Sequence, residues 1–171
     1  MLLILQNRQF RLLWISLGFS EVSLGMYIMV HGWLALTVTD TPFWVGATAG
    51  MSGLGLMSSA AVGGSLIDRV DRQKLILGSM LTNAAWVLGL AGAILWSEVR
   101  LWQILTVAYF AGLSHGIIGS SFKALTLDLV GRERFLSATA VNYAAMNITG
   151  IVSPLLAGTV VSTFDIGWAY V

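Results

Sequence analysis

Apolar residues occur in long runs along this chain, and short polar stretches separate the runs. A bilayer-spanning helix needs about 20 predominantly apolar residues. Five runs reach that length, at residues 12–36, 44–67, 75–96, 101–122 and 137–162. A sixth run occupies residues 166–171. The pattern predicts an all-α integral membrane protein, a helical bundle of five complete transmembrane helices and the start of a sixth.

The composition supports a membrane protein and argues against several kinds of chemistry. Of 171 residues, 57% are hydrophobic and only 10% are charged, whereas a soluble domain carries roughly 25% charged residues. The chain has no cysteine and two histidines far apart in sequence, so we expect no disulfide, no metal and no cofactor. The few basic residues are scattered, which argues against nucleic-acid binding. No nucleotide-binding loop or nucleophile constellation occurs, so we expect no enzyme.

Basic residues predict the orientation of the bundle. Eight of the nine fall in segments that an alternating topology places on one side: Arg8, Arg11, Arg69, Arg72, Lys74, Lys123, Arg132 and Arg134. Only Arg100 lies on the other side. Lys and Arg accumulate in cytoplasmic loops. We therefore expect a multi-pass protein of the plasma (inner) membrane with a cytoplasmic N-terminus.

Small residues recur at helical spacing within the predicted spans. Gly112, Gly116 and Gly119 are separated by four and three residues in the fourth span, which lines them along one helix face. Glycine is common in membrane helices in any case. The regular spacing nevertheless favours a tightly packed bundle in which helix backbones approach closely.

The stretch GGSLIDRVDRQK at residues 63–74 carries five charges in twelve residues, between the second and third spans. It resembles the signature loop of the major facilitator superfamily, Gly-x-Leu-x-Asp-Arg-x-Gly-Arg-x-x. The matching residues are Gly64, Leu66, Asp68, Arg69, Arg72 and Lys74. Asp71 stands where most members have glycine. The Arg-x-Asp-Arg variant is similar to the drug- and siderophore-exporter branch, the enterobactin-exporter-like group.

A second stretch, ITGIVSPLLAG at residues 148–158, resembles a degraded glycine–proline motif of superfamily antiporters. Gly150, Pro154 and Gly158 remain, while Ser153 and Ala157 replace two expected glycines. The resemblance covers essentially all of residues 1–171. It implies a truncated N-terminal six-helix half of a transporter whose C-terminal half is missing from this chain.

The resemblance also implies a role for the charged loop. Asp68 would face the N-terminus of a helix in the other half, where exposed N–H groups favour an anion. Arg69 and Arg72 would pair with carboxylates, and Asp128 is a candidate. Such a cluster would gate alternating access by locking the two halves together. The alternative is a solvated basic turn whose charges only set the orientation of the protein in the membrane.

Two ionisable residues are predicted to lie near the middle of the membrane, where charge is costly and is usually functional. Glu21 lies in the first span and His115 in the fourth. The resemblance implies that these helices line a central cavity, where the pair would exchange protons or contact substrate, with Tyr27 nearby. The alternative is structural hydrogen bonding between helices. We expect His31, beside Trp33, to be an interfacial residue.

These features predict a secondary active transporter that exports small amphipathic, drug-like or siderophore molecules by proton-coupled alternating access. Its partners would be a small-molecule substrate, the proton and the lipid bilayer. Two alternatives stay open. The chain is an inactive fragment, or it is a membrane interaction or regulatory protein that keeps the fold without transporting.

Overall fold

A computed structural model describes the backbone of residues 8–67, 70–96 and 99–163, and their side chains except at residues 62–67, 95 and 96. Within these ranges the chain is helical apart from short turns. The helices are α1 (Arg8–Thr39), α2 (Pro42–Ile67), α3 (Arg72–Trp96) and α4 (Leu101–Thr163). The prediction of an all-α protein is confirmed.

The predicted first three spans correspond to α1, α2 and α3, and the break between the predicted fourth and fifth spans is much shorter than expected. Helix α4 continues through residues 123–130, and only Gly131 leaves the helical conformation, with φ 73° and ψ 168°. Residues 123–130 contain no proline and are rich in helix-forming Lys, Ala and Leu. At this positive φ only glycine avoids strain. The predicted fourth and fifth spans are thus joined as one element, α4, with a break at Gly131. The predicted sixth run lies outside the described residues.

The chain nevertheless reverses direction at Gly131. We call residues 101–130 the first arm of α4 and residues 132–163 the second arm. Against the first arm, α1 is antiparallel: His31 contacts Ile104, whereas Leu17 packs with Phe122. Against the second arm, α1 is parallel.

Two contacts show the parallel register. The indole of Trp14 lies 3.4 Å from the carbonyl oxygen of Val141, and Gly25 packs on Ser153. The two arms therefore run in opposite directions beside α1, as separate spans would. Phe10 and Ala138 pack with Val130 at one end of the bundle, which we call the Gly131 end. The opposite end, at the turn between α1 and α2, is the Asp40 end.

Glycine brings α2 and the first arm of α4 into backbone contact. A Cβ on Gly112 would collide with the carbonyl of Ser52, and one on Gly55 would collide with the carbonyl of Tyr109. A Cβ on Gly116 would overlap the Ser59 side chain. The hydroxyl of Ser52 also donates to the carbonyl of Ala108, at 3.1 Å. The first arm is thereby fixed at the centre, with α1, α2 and α3 packed around it.

The outer surface of the bundle is apolar. Phe19, Met57 and Leu136 are exposed by 75%, 74% and 81%. In the described part of the chain, three helices are long and apolar enough to cross a membrane: α1, residues Arg72–Ile94 of α3, and α4. Apolar side chains directed outward suit contact with lipid tails. The structure therefore fits a multi-pass membrane bundle.

We predict that Gly112→Ala destabilises the protein by about 1–3 kcal/mol, because the added methyl group forces α2 away from the first arm. Thermal unfolding in detergent, followed by size-exclusion chromatography, measures the loss. Gly119→Ala is the matched control on the same arm, since a Cβ there meets nothing within 4 Å. An equal melting temperature for the two variants would contradict the proposed close contact.

Candidate functional site

The described part of the charged loop connects the start of α3 to α4 at the Gly131 end. The guanidinium of Arg72 donates to the carboxylate of Asp128 and lies 3.5 Å from the carbonyl oxygen of Ala124. The Arg72 and Asp128 side chains are 35% and 53% exposed, so solvent screens their attraction. The pair therefore links two helices without holding them tightly.

Asp71 has a local structural role in the charged loop. Its carboxylate accepts a hydrogen bond from the backbone N–H of Gln73 at 2.9 Å, and its carbonyl accepts one from Leu75. This is the geometry of an N-cap, with a negative charge at the positive end of the helix dipole. The cap explains why α3 begins at Arg72, three residues before the predicted span.

The other residues of the predicted loop site are less connected. Lys74 is exposed on the first turn of α3, and Gly64 lies within α2. Asp68 and Arg69 lie outside the described residues. The structure therefore brings together Arg72 and Asp128 from this predicted set.

A cleft of about 830 Å³ lies between α1 and α3, along the first arm of α4. His115 and Tyr27 both line it, together with Asn83. The Tyr27 hydroxyl and the Asn83 amide oxygen are buried and have no hydrogen-bond partner in the described part of the chain. The predicted cavity residues His115 and Tyr27 are thus brought to one cleft.

Glu21 is not part of the lining of this cleft. It lies two residues before Ser23, a lining residue, and a helix turns by about 200° over two residues. One helical turn to either side of Glu21 lie Leu17, which packs with Phe122 of the first arm, and Gly25, which packs on Ser153 of the second arm. Its side chain is half-buried, and no hydrogen bond or ion pair joins it to His115 or to another described residue. Of the two predicted ionisable residues, only His115 therefore lines the cleft.

His31 differs from the sequence-based expectation. It is only 2% exposed, and its Nε2 lies 2.9 Å from the carbonyl oxygen of Ile104. Its ring also lies 4.7 Å from the ring of Tyr27. The expectation of an interfacial side chain is wrong, because helix rotation turns His31 toward the first arm while Trp33 remains 49% exposed.

The glycine–proline stretch contacts α1 through the residues that replace glycine. Ser153 and Ala157 are both fully buried, whereas Gly150 and Pro154 are exposed. Gly158 is half-buried, and a Cβ on it would meet nothing within 4 Å. The spacing of four residues puts Ser153 and Ala157 on one face. In the sequence, the spacing of Ser153 and Ala157 is therefore what indicates this contact with α1. The positions of the glycines alone do not indicate it.

Comparison with known proteins identifies the family. The transmembrane secretion effector family, a group of the major facilitator superfamily, matches residues 2–171. The chain belongs to this family.

The chain is also similar to enterobactin exporters named EntS. The protein from Citrobacter koseri is 28% identical over 161 residues, which cover 94% of this chain and 39% of that protein. The protein from Shigella flexneri is 27% identical with the same coverage. No solved structure matches the chain. The chain thus spans about 39% of the length of these relatives.

We predict that His31→Phe destabilises the protein by about 0.5–1.5 kcal/mol, because the ring volume is kept and the hydrogen bond to Ile104 is lost. The shift in melting temperature in detergent measures this change. Trp33→Phe is the control, since this nearby side chain is largely exposed and its replacement should change stability little. An unchanged melting temperature in His31→Phe would show that the stability of the protein does not depend on this hydrogen bond.

Proposed function

We propose that this chain forms the amino-terminal half of a secondary transporter that exports small amphipathic molecules across the inner membrane. The family match over residues 2–171 carries the proposal. The similarity to proteins named enterobactin exporters favours a siderophore-like cargo over other small molecules. A second half completes the transporter, and the N-terminus of α1 lies in the cytoplasm, as the distribution of basic residues favours.

The charged loop acts in this proposal as a gate at the cytoplasmic, Gly131 end. Arg72 and Asp128 join the start of α3 to α4 through a solvent-exposed ion pair. Such pairs contribute about 0–1 kcal/mol, which suits a contact that must break and form again in every transport cycle. Gly64, Asp68, Arg69 and Lys74 complete the gate, with Asp68 facing a helix N-terminus of the second half.

Glu21 couples export to the proton in this proposal. It lies in the interior of α1, and its side chain is half-buried. An ionisable side chain within a membrane is costly and is usually functional, and a carboxylate is a group that can carry a proton. Alternating access exposes such a site to each side of the membrane in turn.

We predict that Glu21→Gln reduces pH-gradient-driven export by about tenfold or more, because the amide cannot carry a proton. The measurement is enterobactin export from cells without another exporter, using the full-length protein that contains this chain. Glu21→Asp should keep part of the activity, and the exposed Asp40→Asn is the carboxylate control. Equal melting temperatures of the variants and the unaltered protein would exclude misfolding as the cause of a loss of export.

Wild-type export by Glu21→Gln would refute the coupling role. Failure of the unaltered, folded protein to export enterobactin would instead count against a siderophore cargo. Failure with a panel of amphipathic cations as well would favour a non-transporting membrane protein.

We predict that Arg72→Asp or Asp128→Arg alone slows export several-fold, because each change places like charges together in the gate. The double variant Arg72→Asp/Asp128→Arg should recover much of the rate. Each single change should alter stability by less than about 1 kcal/mol, since both side chains are partly exposed. Arg132→Ala, an exposed arginine at the same end, is the control. Absence of recovery in the double variant would argue against a gating pair.

A further inference from the structure

Aromatic side chains hold the start of α1 against the start of the second arm of α4. Phe10 is fully buried and packs with Ala138, and Trp14 packs in the same cluster. The Trp14 indole also lies 3.4 Å from the carbonyl oxygen of Val141. The two helices therefore lie side by side and run in parallel at this end of the bundle.

Arginine side chains extend from both helices beside this contact. Arg11 lies three residues before Trp14, and Arg134 lies four residues before Ala138. Residues three or four apart are neighbours on a helix surface, so the two arginines continue the contact by one turn toward the same end of the bundle. Arg8 lies one turn before Arg11. We call Arg8, Arg11 and Arg134 the arginine cluster.

Little negative charge balances the arginine cluster. Its three side chains are exposed, and no ion pair joins them to an acidic residue in the described part of the chain. Two carboxylates at this end are already engaged, since Asp71 caps α3 and Asp128 pairs with Arg72. Glu133 precedes the third arginine of the cluster. Three arginines against one glutamate leave a net charge of +2 at this position.

Exposed apolar side chains continue this surface toward the middle of the bundle. Ile15 lies four residues after Arg11 and is 43% exposed. On the second arm, Ile148 and Ile151 are exposed by 62% and 70%. Neither Ile15 nor the arginine cluster lines the cleft between α1 and α3. This surface is therefore separate from the cleft, with a cationic end and an apolar extension.

The chemistry of the cluster suits a phosphate group. A guanidinium is always charged and can donate two parallel hydrogen bonds to phosphate oxygens, which a lysine ammonium cannot do. Guanidinium groups from two neighbouring helices can approach one phosphodiester from two sides. Juxtamembrane basic residues attract the anionic lipids of a bilayer, and the apolar extension supplies contact for acyl tails.

We propose that the arginine cluster binds the headgroup of an anionic phospholipid whose tails lie along Ile15 and the second arm. The phosphodiester oxygens accept hydrogen bonds from Arg11 and Arg134, and Arg8 adds positive charge beside them. The bound lipid then joins α1 to the second arm at the membrane surface. Lipid binding requires no transport, so the proposal does not rest on the proposed function.

Native mass spectrometry of the full-length protein tests the headgroup preference. The protein in detergent is titrated with phosphatidylglycerol and, separately, with phosphatidylcholine that has the same acyl chains. We expect phosphatidylglycerol to bind at least about tenfold more tightly, because only its headgroup carries a net negative charge. Equal binding of the two lipids would overturn the proposal.

Two double variants locate the site. Arg11→Gln/Arg134→Gln removes two charges from the cluster, and the matched control Lys123→Gln/Arg132→Gln removes two exposed charges elsewhere at the same end. We expect the first to weaken phosphatidylglycerol binding by at least about tenfold. We expect the control to weaken it by less than about twofold, because salt screens distant charges.

A similar loss in both variants would mean that total charge attracts the lipid, and no loss in the first would mean that the cluster does not bind it. Either result would overturn the proposal. Melting temperatures show whether each variant is folded. If Arg11→Gln/Arg134→Gln does not fold, the exposed Arg134→Gln is measured alone against Arg132→Gln.

Inorganic phosphate separates a lipid from a soluble anion. It presents the same oxygens as the headgroup but has no tails to contact Ile15. We expect phosphatidylglycerol to stay bound in about 10 mM phosphate, a concentration too low to screen charges in direct contact. Displacement of the lipid at this concentration would assign the cluster to a soluble phosphate and would overturn the lipid assignment.

Discussion

The close approach of α2 to the first arm of α4 is the contact on which the rest of the bundle depends. Gly55 and Gly112 place backbone against backbone, and Ser52 adds a hydrogen bond across the same contact. Within a membrane the hydrophobic effect does not drive helices together, so van der Waals contact and interhelical hydrogen bonds must do so. With the first arm held centrally, α1 and α3 pack on its remaining faces.

This arrangement separates the polar residues into two sets. His115, Tyr27 and Asn83 line the cleft between α1 and α3, whereas Glu21 is not part of its lining. The carboxylate and the imidazole that the sequence places at similar membrane depth thus do not line one cleft. The proposed proton coupling at Glu21 is therefore independent of His115.

The charged loop combines two different uses of charge. Asp71 caps α3 and fixes where that helix begins, whereas Arg72 and Asp128 join two helices through an exposed pair. The cap is local and does not require α4 to be in place. The ion pair depends on the position of α4, so motion of one helix against the other would break it. The departure from the family pattern at Asp71 therefore leaves the pair of Arg72 and Asp128 in place.

Length and hydropathy were enough to predict an all-α membrane bundle and the positions of α1, α2 and α3, because the bilayer sets the length of an apolar helix. The loop motif was enough to predict the family, and the spacing of the glycines predicted that helices pack closely. The helical character of residues 123–130 was missed, because a polar stretch with good helix formers looks like a loop in a hydropathy pattern. Only the tertiary structure decided that the chain reverses at Gly131 and that His31 is enclosed. It alone showed that Ser153 contacts Gly25 and that His115, but not Glu21, lines the cleft between α1 and α3. Those outcomes depend on the rotation of each helix about its axis, which is set by contacts between residues far apart in the chain.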